Sequence, residues 1–478
     1  MTTPATPTKP DTNPERSPSL LPLPVATMRQ LVEGGNTRPL AWRLEQLQRL
    51  DHLMESAGQR MVEALASDLG RPEVEAGFEL GALRQELRHT RRHLAGWMRP
   101  RRRSLPLWAW PGQGAVRAEP LGCVLVIGAW NYPFDLCLHP LLHALAAGNT
   151  AVLKPSEQSP ASAALLAELL TSHFPPEVVQ VVCGDGAVAS RLLEEERFDH
   201  ILYTGGERVG RLVLAAAARH LTPVTLELGG RNPAIVLDDA DPAITARRLL
   251  WGRCLNAGQT CLAPNHVLVL PGVRDALVAA FAEQGHALYG QNPLASPDLG
   301  RIVGAGRFER LAGHLAQARE RGQVLLGGRC DPAHRTIEPT LVAVDEPHTD
   351  PLMQEELFAP ILPLLTVGNL EEALALVRRS PKPLALYLFG GGVGERERLL
   401  AGTSSGSVVV NDVVVQGGMA SLRFGGIGPS GMGAYHGEAG FLSFSHQRAV
   451  LSRSLWPDPP VRFPPYAGKL GLIRHLMG

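Results

Sequence analysis

The peptide NAGQTCLAP, residues 256–264, sets Cys261 behind two small residues, Ala257 and Gly258. A thiol adds to electrophilic carbon once it ionises, yet a free cysteine is more often an inert apolar filler. From this peptide alone both readings stand, although Ala257 and Gly258 suit a tight loop that exposes a sulfur. Other reactive side chains lie in similar short peptides. Asn131 falls in GAWNYP (128–133), Lys154 and Glu157 in KPSE (154–157), and Glu227 in LELGG (226–230). Taken singly, such carboxylates are mostly structural or solvent-facing, and an asparagine before Tyr-Pro is a turn residue. The glycines of YTGGERVG (203–210) lack the G-x-G-x-x-G spacing and by themselves only make a turn. Lysine is scarce, at Lys9, Lys154, Lys382 and Lys469 among 46 Lys and Arg residues. Lys154, in an ordered segment, therefore marks a position where arginine would not serve. The six cysteines form no C-x-x-C pair and no Cys/His set with zinc spacing, so no metal is expected.

These peptides need elements to position them. Residues 25 to about 100 show helical i, i+3, i+4 periodicity, and 99–120 then breaks it with Pro, Gly, Trp and an arginine run. That run reads as a solvated face. From 121 onward, short apolar runs such as GCVLVIGAW, NTAVLKPSE, FDHILYTGG and PVTLELGG alternate with helical stretches such as PLLHALAAG and VGRLVLAAAARHL. Buried strands alternating with helices predict an α/β fold with a doubly wound parallel sheet. Ligands bind such sheets at the carboxyl ends of the strands, where NYP, KPSE, TGG and LELGG gather. A second alternating series, from about 229 to 410, predicts a further α/β domain that carries Cys261.

The bulk numbers fit that picture. A chain of 478 residues exceeds one compact core, and 45% hydrophobic with 19% charged residues suits a large folded interior. A formal net charge of zero points to neither nucleic acid nor an anionic membrane. The first nineteen residues are rich in Pro, Thr and Ser and read as a disordered leader. No apolar run approaches a membrane span, and the unpaired cysteines suit a reduced, cytoplasmic compartment.

In ordered combination the peptides say more. GAWNYP (128–133), AAGNTAVLKPSE (146–157), YTGGERVG (203–210), LELGGRNPAIV (226–236), NAGQTCLAP (256–264), QEELFAP (354–360) and LRFGGIGPSGMGAYHG (422–437) resemble the aldehyde dehydrogenase superfamily over nearly everything after residue 30. GMGAYHG and the terminal RFPPYAGKLGLIRHL most resemble its class 3 branch, dimeric NAD(P)-dependent enzymes of aromatic and medium- to long-chain aldehydes. The resemblance implies that Cys261 is the nucleophile, Asn131 the oxyanion-stabilising amide, and Glu227 the group that activates water for thioester hydrolysis. It implies cofactor contacts at Lys154, Glu157, Gly205, Gly210, Leu228, Glu356 and Phe358, for NAD or NADP, and places Tyr132, Arg423 and Phe424 at the substrate pocket.

It also implies a layout. A leader (1–24) precedes a dinucleotide-binding domain (25–101 and 121–228) and a catalytic domain (229–411). A bridging element (102–120 and 445–456) meets a second subunit in a homodimer, and a C-terminal tail (457–478) forms a docked amphipathic helix with at most weak peripheral membrane contact. Four positions depart from the family pattern: Gly206, Arg208, Ala420 and Arg423. The first two bear on cofactor preference, the last two on the substrate mouth. Cys254, seven residues before Cys261, is expected to be a bystander.

Overall fold

The computed structural model describes residues 23–477, so the expected leader lies, apart from Leu23 and Pro24, outside the described residues. Two long helices, Leu40–Leu69 and Glu73–Trp97, open the body of the chain. Their apolar stripes, Leu47, Leu50, Met54, Met61 and Leu65 on one and Leu80, Leu83, Leu87 and Leu94 on the other, are fully or almost fully buried. They pack with helices Asp135–Ala147 and Pro160–His173 against one face of a six-stranded sheet.

That sheet runs in the order Gly431–Met432, Val224–Leu228, His200–Gly205, Cys123–Ile127, Thr150–Lys154, Val179–Val181. All neighbours are parallel except the short Gly431–Met432 edge. Successive strand residues feed opposite cores: Val124 and Val126 join the helical face above, while Cys123, Leu125 and Ile127 meet helices Val25–Glu33, Gly186–Glu195 and Glu207–Ala218 on the other side. Burial on both faces is why these strands read as unbroken apolar runs. The chain starts at the sheet's middle, winds outward through 150–154 and 179–181, then crosses back to 200–205 and 224–228. The switch point lies between Cys123–Ile127 and His200–Gly205, so the α/β doubly wound expectation describes the fold.

A second sheet of seven strands runs Val324–Leu326, Thr340–Ala343, Ile361–Thr366, His266–Val269, Pro233–Val236, Ala385–Phe389, Ser407–Val410, parallel apart from its first edge strand. A third, of three antiparallel strands, joins Arg101–Arg103, Gly112–Pro120 and Ser445–Arg453, the last two paired along their full lengths. Beyond it the tail makes a short turn at Pro460–Arg462 and a helix at Leu470–Met477 with Leu470 and Leu472 exposed. Among the described residues no helix is long and apolar enough to cross a membrane. The Gly431–Met432 strand, absent from the sequence expectations, lays the C-terminal GMG peptide along the strand that carries Glu227.

Candidate active site

Helix Pro242–Cys254 leads into the loop that presents Cys261, and the loop is wound against its chemistry. Asn256 (φ 54°), Ala257 (φ 53°) and Gly258 (φ 78°) are all left-handed in succession. For a residue with a Cβ that conformation costs about 1–2 kcal/mol and persists only where the surroundings over-determine it. Here they do. The Gln259 side chain donates to the carbonyls of Asn256 and Arg301, both at 3.0 Å, and accepts from the Val303 N–H at 2.8 Å. The Asn256 amide donates to the Asn131 carbonyl at 2.8 Å and the Gln259 carbonyl at 3.2 Å. At Gly258 a Cβ would lie 2.4 Å from both carbonyl atoms of Ala359, so only glycine fits.

The loop ends with Cys261 on the wall of a cavity of about 340 Å³ lined mainly by apolar groups, among them Tyr132, Trp251, Leu262, Val414, Phe424 and Tyr435. Asn232 holds the Cys261 carbonyl at 2.7 Å, and the backbone N–H groups of Cys261 and Leu262 face the sulfur. Burial, and then the neighbouring carboxyls of Glu356 and Glu227, push the thiol well above its usual range.

Glu227, near the carboxyl end of Val224–Leu228, is 3% exposed, and neither carboxyl oxygen has a hydrogen-bond partner. Burial pushes its pKa well above the carboxylate range. Glu356 is pushed by burial up to about 8, against the Gly230 N–H and the Arg253 guanidinium, which pull the other way. Asn131 is buried on the loop after Cys123–Ile127 and its amide donates to the Gln259 carbonyl at 3.1 Å. The next residue, Tyr132, hydrogen-bonds through its hydroxyl to Thr260 at 2.6 Å. The Asn131–Tyr132 pair therefore grips the two residues preceding the sulfur.

At the sheet's carboxyl edge, Lys154 ends its strand with a buried side chain and pairs Glu157 at 2.8 Å. Gly205 and Gly210 are places of close approach: a Cβ at 205 would meet the Tyr203 hydroxyl at 2.2 Å, and one at 210 would meet Leu228 at 2.9 Å. Helix Glu207–Ala218 starts there without a side-chain cap, which leaves its first N–H groups free for an anion. Arg208 and Gly206 are exposed at this end. Phe358 (φ 47°) stands edge-on to Trp130 at 6.0 Å, beside Glu356, whose Oε1 is buried and unpartnered. A carboxyl with one unpartnered oxygen, glycine-lined strand ends and an open helix terminus fit a dinucleotide.

Of the three residues expected at the substrate pocket, Tyr132 and Phe424 line the cavity and Arg423 does not. Phe424 exchanges both backbone hydrogen bonds with Tyr435 at 2.8 Å, and this bridge turns residue 424 inward and leaves 423 exposed. Ala420 is buried. Cys254 sits in the second sheet's core, where burial pushes its thiol up to about 12. Sequence reasoning missed Arg71, Glu75 and Glu79, which reach this site from the start of Glu73–Trp97. Glu75 and Glu79 lie one turn apart on that helix, Arg71 precedes its N-cap Pro72, and Arg71 and Glu79 are buried.

A doubly wound sheet whose strand ends can hold a dinucleotide, facing a cysteine on a second α/β unit, fits the class of pyridine-nucleotide oxidoreductases. The model of the Aldehyde dehydrogenase family matches residues 12–450, and the chain belongs to that family. It is 43% identical to aldehyde dehydrogenase family 3 member H1 of Arabidopsis thaliana over 95% of this chain and 94% of the relative. It is 40% identical to the rat dimeric NADP-preferring aldehyde dehydrogenase over 93% and 98%. Among solved structures, the substrate-bound state of Staphylococcus aureus AldH superposes with a TM-score of 0.91 at 36% identity, covering 95% of this chain and 98% of that one. The chain is an NAD(P)-dependent aldehyde dehydrogenase that oxidises an aldehyde to the carboxylic acid.

Proposed function

We propose that Cys261 is the nucleophile, that Asn131 and the Cys261 N–H stabilise the oxyanion, and that Glu227 activates the hydrolytic water. The carrying observation is a sulfur opening on an apolar cavity, with a buried, wholly unpartnered carboxyl near enough for its charge to raise the thiol. The sulfur of Cys261, a residue partly open to solvent, loses its proton to water and adds to the carbonyl carbon; the C=O π pair moves to oxygen, where a fixed donor contributes about 3 kcal/mol. NAD(P)+, held by the residues named below, would supply the hydride acceptor for this carbon. The C=O re-forms as a thioester on Cys261. Glu227 then takes a proton from water as the water oxygen attacks, the C–S bond breaks, and the acid departs. Lys154, Glu157, Gly205, Gly210, Leu228, Glu356 and Phe358 hold and orient the dinucleotide.

The cavity favours aromatic and medium- to long-chain aldehydes: its wall is Phe78, Trp251, Leu262, Val414, Phe424 and Tyr435, and about 340 Å³ lies within the usual range for small-molecule sites. The test is a panel of benzaldehyde, hexanal and decanal with NAD+ and NADP+ separately, following the absorbance of the reduced nicotinamide. Cys261→Ser should abolish the signal; unaltered oxidation by the folded variant refutes the nucleophile assignment. We further propose a homodimer built on the three-stranded sheet, since nine-residue Ser445–Arg453 lies at its edge with Val450 and Leu451 exposed. The six free cysteines support a cytoplasmic setting. Exposed Leu470 and Leu472 support at most weak peripheral membrane contact, and fractionation of expressing cells, with salt washing of the membranes, tests both.

A further inference from the structure

The two groups assigned to the oxyanion come from different sheets. Asn131 follows a strand of the six-stranded sheet, and Cys261 precedes a strand of the seven-stranded one. Neither sheet alone fixes their separation, yet an oxyanion site works only when its donors are set to within a fraction of an ångström. Hydrogen bonds from Asn131 to the Gln259 carbonyl, from Asn256 to the Asn131 carbonyl and between Tyr132 and Thr260 join the two loops directly, and one further side chain ties both to a third element. Arg71 sends each of its three guanidinium nitrogens to a different element: Nη1 to Glu79, Nη2 to the Asn131 carbonyl, and Nε to Asn256 Oδ1 at 3.3 Å. Its guanidinium lies over the Tyr132 ring, 4.4 Å from the centroid.

Glu79 continues the connection. Its Oε1 accepts from the N–H groups of Phe134 and Asp135 at 3.1 and 2.9 Å, at the start of helix Asp135–Ala147, so it anchors the far end of the Asn131 loop. Glu75, one turn earlier, accepts from the Asn256 N–H at 2.8 Å, at the first left-handed residue of the Cys261 loop. Arg71, just before the helix, and Glu75 and Glu79 within it thus bind both loops from one end of Glu73–Trp97. The side chains of Arg71 and Glu79 are 1% and 0% exposed. A buried ion pair is weak evidence for stability, because well-packed apolar residues do as well or better, and setting one unique geometry is the use such pairs serve best.

We propose that Arg71, held by Glu79 and assisted by Glu75, is a positioning residue that sets the Asn131 loop against the Cys261 loop and so completes the oxyanion site. The proposal rests on the roles given above to Asn131 and Cys261. Lysine in place of arginine keeps the charge beside Glu79, but a compact ammonium cannot span acceptors on one helix and two separate loops.

The test is a cycle of Arg71→Lys, Asn131→Ala and the double variant in the full-length chain, measuring kcat, aldehyde KM, NAD(P)H affinity and the rate of Cys261 alkylation by iodoacetamide. A misplacement on the ångström scale costs about a hundredfold. Arg71→Lys should therefore lower kcat roughly ten- to a hundredfold, while NAD(P)H affinity and Cys261 alkylation, which form no oxyanion, stay within about threefold. The two losses should not add: Asn131→Ala should cost far less in the Arg71→Lys background than in the parent. A kcat within twofold of the parent overturns the proposal, as does full additivity. If Arg71→Lys does not fold, the half-buried Glu75→Ala carries the same cycle with the same criteria. An Asn131→Ala variant of normal kcat would instead remove the oxyanion reading beneath it, and an active Cys261→Ser would remove the nucleophile reading. These failures are distinguishable from failure of the clamp.

Discussion

Replacing Glu227 by glutamine separates two consequences of one buried carboxyl. Both its oxygens lack partners, and burial pushes its pKa well above the ordinary carboxylate range, so the folded protein holds a proton that the unfolded chain has released. The native state then binds more protons than the unfolded one, and stability falls as pH rises from the unfolded value toward the folded one. The slope reaches about 1.4 kcal/mol per pH unit. Glutamine has the same shape and no titration, so the parent-minus-variant stability difference should decline as pH rises above the unfolded carboxylate range, at up to that slope. Taking the difference cancels Glu75 and Glu356, which burial pushes up to about 7 and about 8 and which titrate in both proteins. On the proposed mechanism the same substitution removes the base, and general-base assistance is worth about 10²–10⁴-fold. Glu227→Gln should release one equivalent of NAD(P)H per subunit in a burst and then stall by that factor, with the acyl group on Cys261 visible in the intact mass. The rising limb of the parent's kcat with pH should vanish with it. Urea midpoints at several pH values and quenched-flow NAD(P)H traces read both effects. Parallel stability curves would show that Glu227 is not held protonated, and undiminished steady-state turnover would remove it as the base.

Gly258→Ala should destroy activity and destabilise the chain by more than the roughly 1–2 kcal/mol of left-handed strain, because its Cβ would lie 2.4 Å from the Ala359 carbonyl; a variant with parental thermal stability and kcat would refute the loop geometry. Val450→Asp with Leu451→Asp, on the outer edge strand, should shift the solution mass measured by light scattering from dimer to monomer, and a monomeric parent would refute the edge-strand pairing.

What could be read from the sequence, and what could not, divides along the range of the interactions. The strands at 123–127, 150–154 and 200–205 are legible because burial on both faces writes an unbroken apolar run into the local sequence. Cys261, Glu227 and Asn131 stand out in the sequence only through the ordered combination of their peptides; each peptide alone is ambiguous, although Gly258, with its positive φ and its contact with Ala359, shows a local backbone need of the Cys261 loop. Arg423 misleads for a local reason as well: the bridge between residues 424 and 435 decides which of two adjacent side chains faces the cavity, and composition does not encode that alternation. The two-residue strand at Gly431–Met432 is too short to carry any period, yet its register places Gly431 opposite Glu227. A Cβ at 431 would lie 2.3 Å from the Leu226 carbonyl, so the glycine permits the close strand approach beside the buried carboxyl. Arg71 is the extreme case, since two of its three partners lie 60 and 185 residues away. In the sequence it is one arginine among many on a helical stretch. Only the folded chain shows that its three nitrogens serve three separate elements, and that distinction is what makes lysine, which preserves everything the sequence pattern records, the informative replacement.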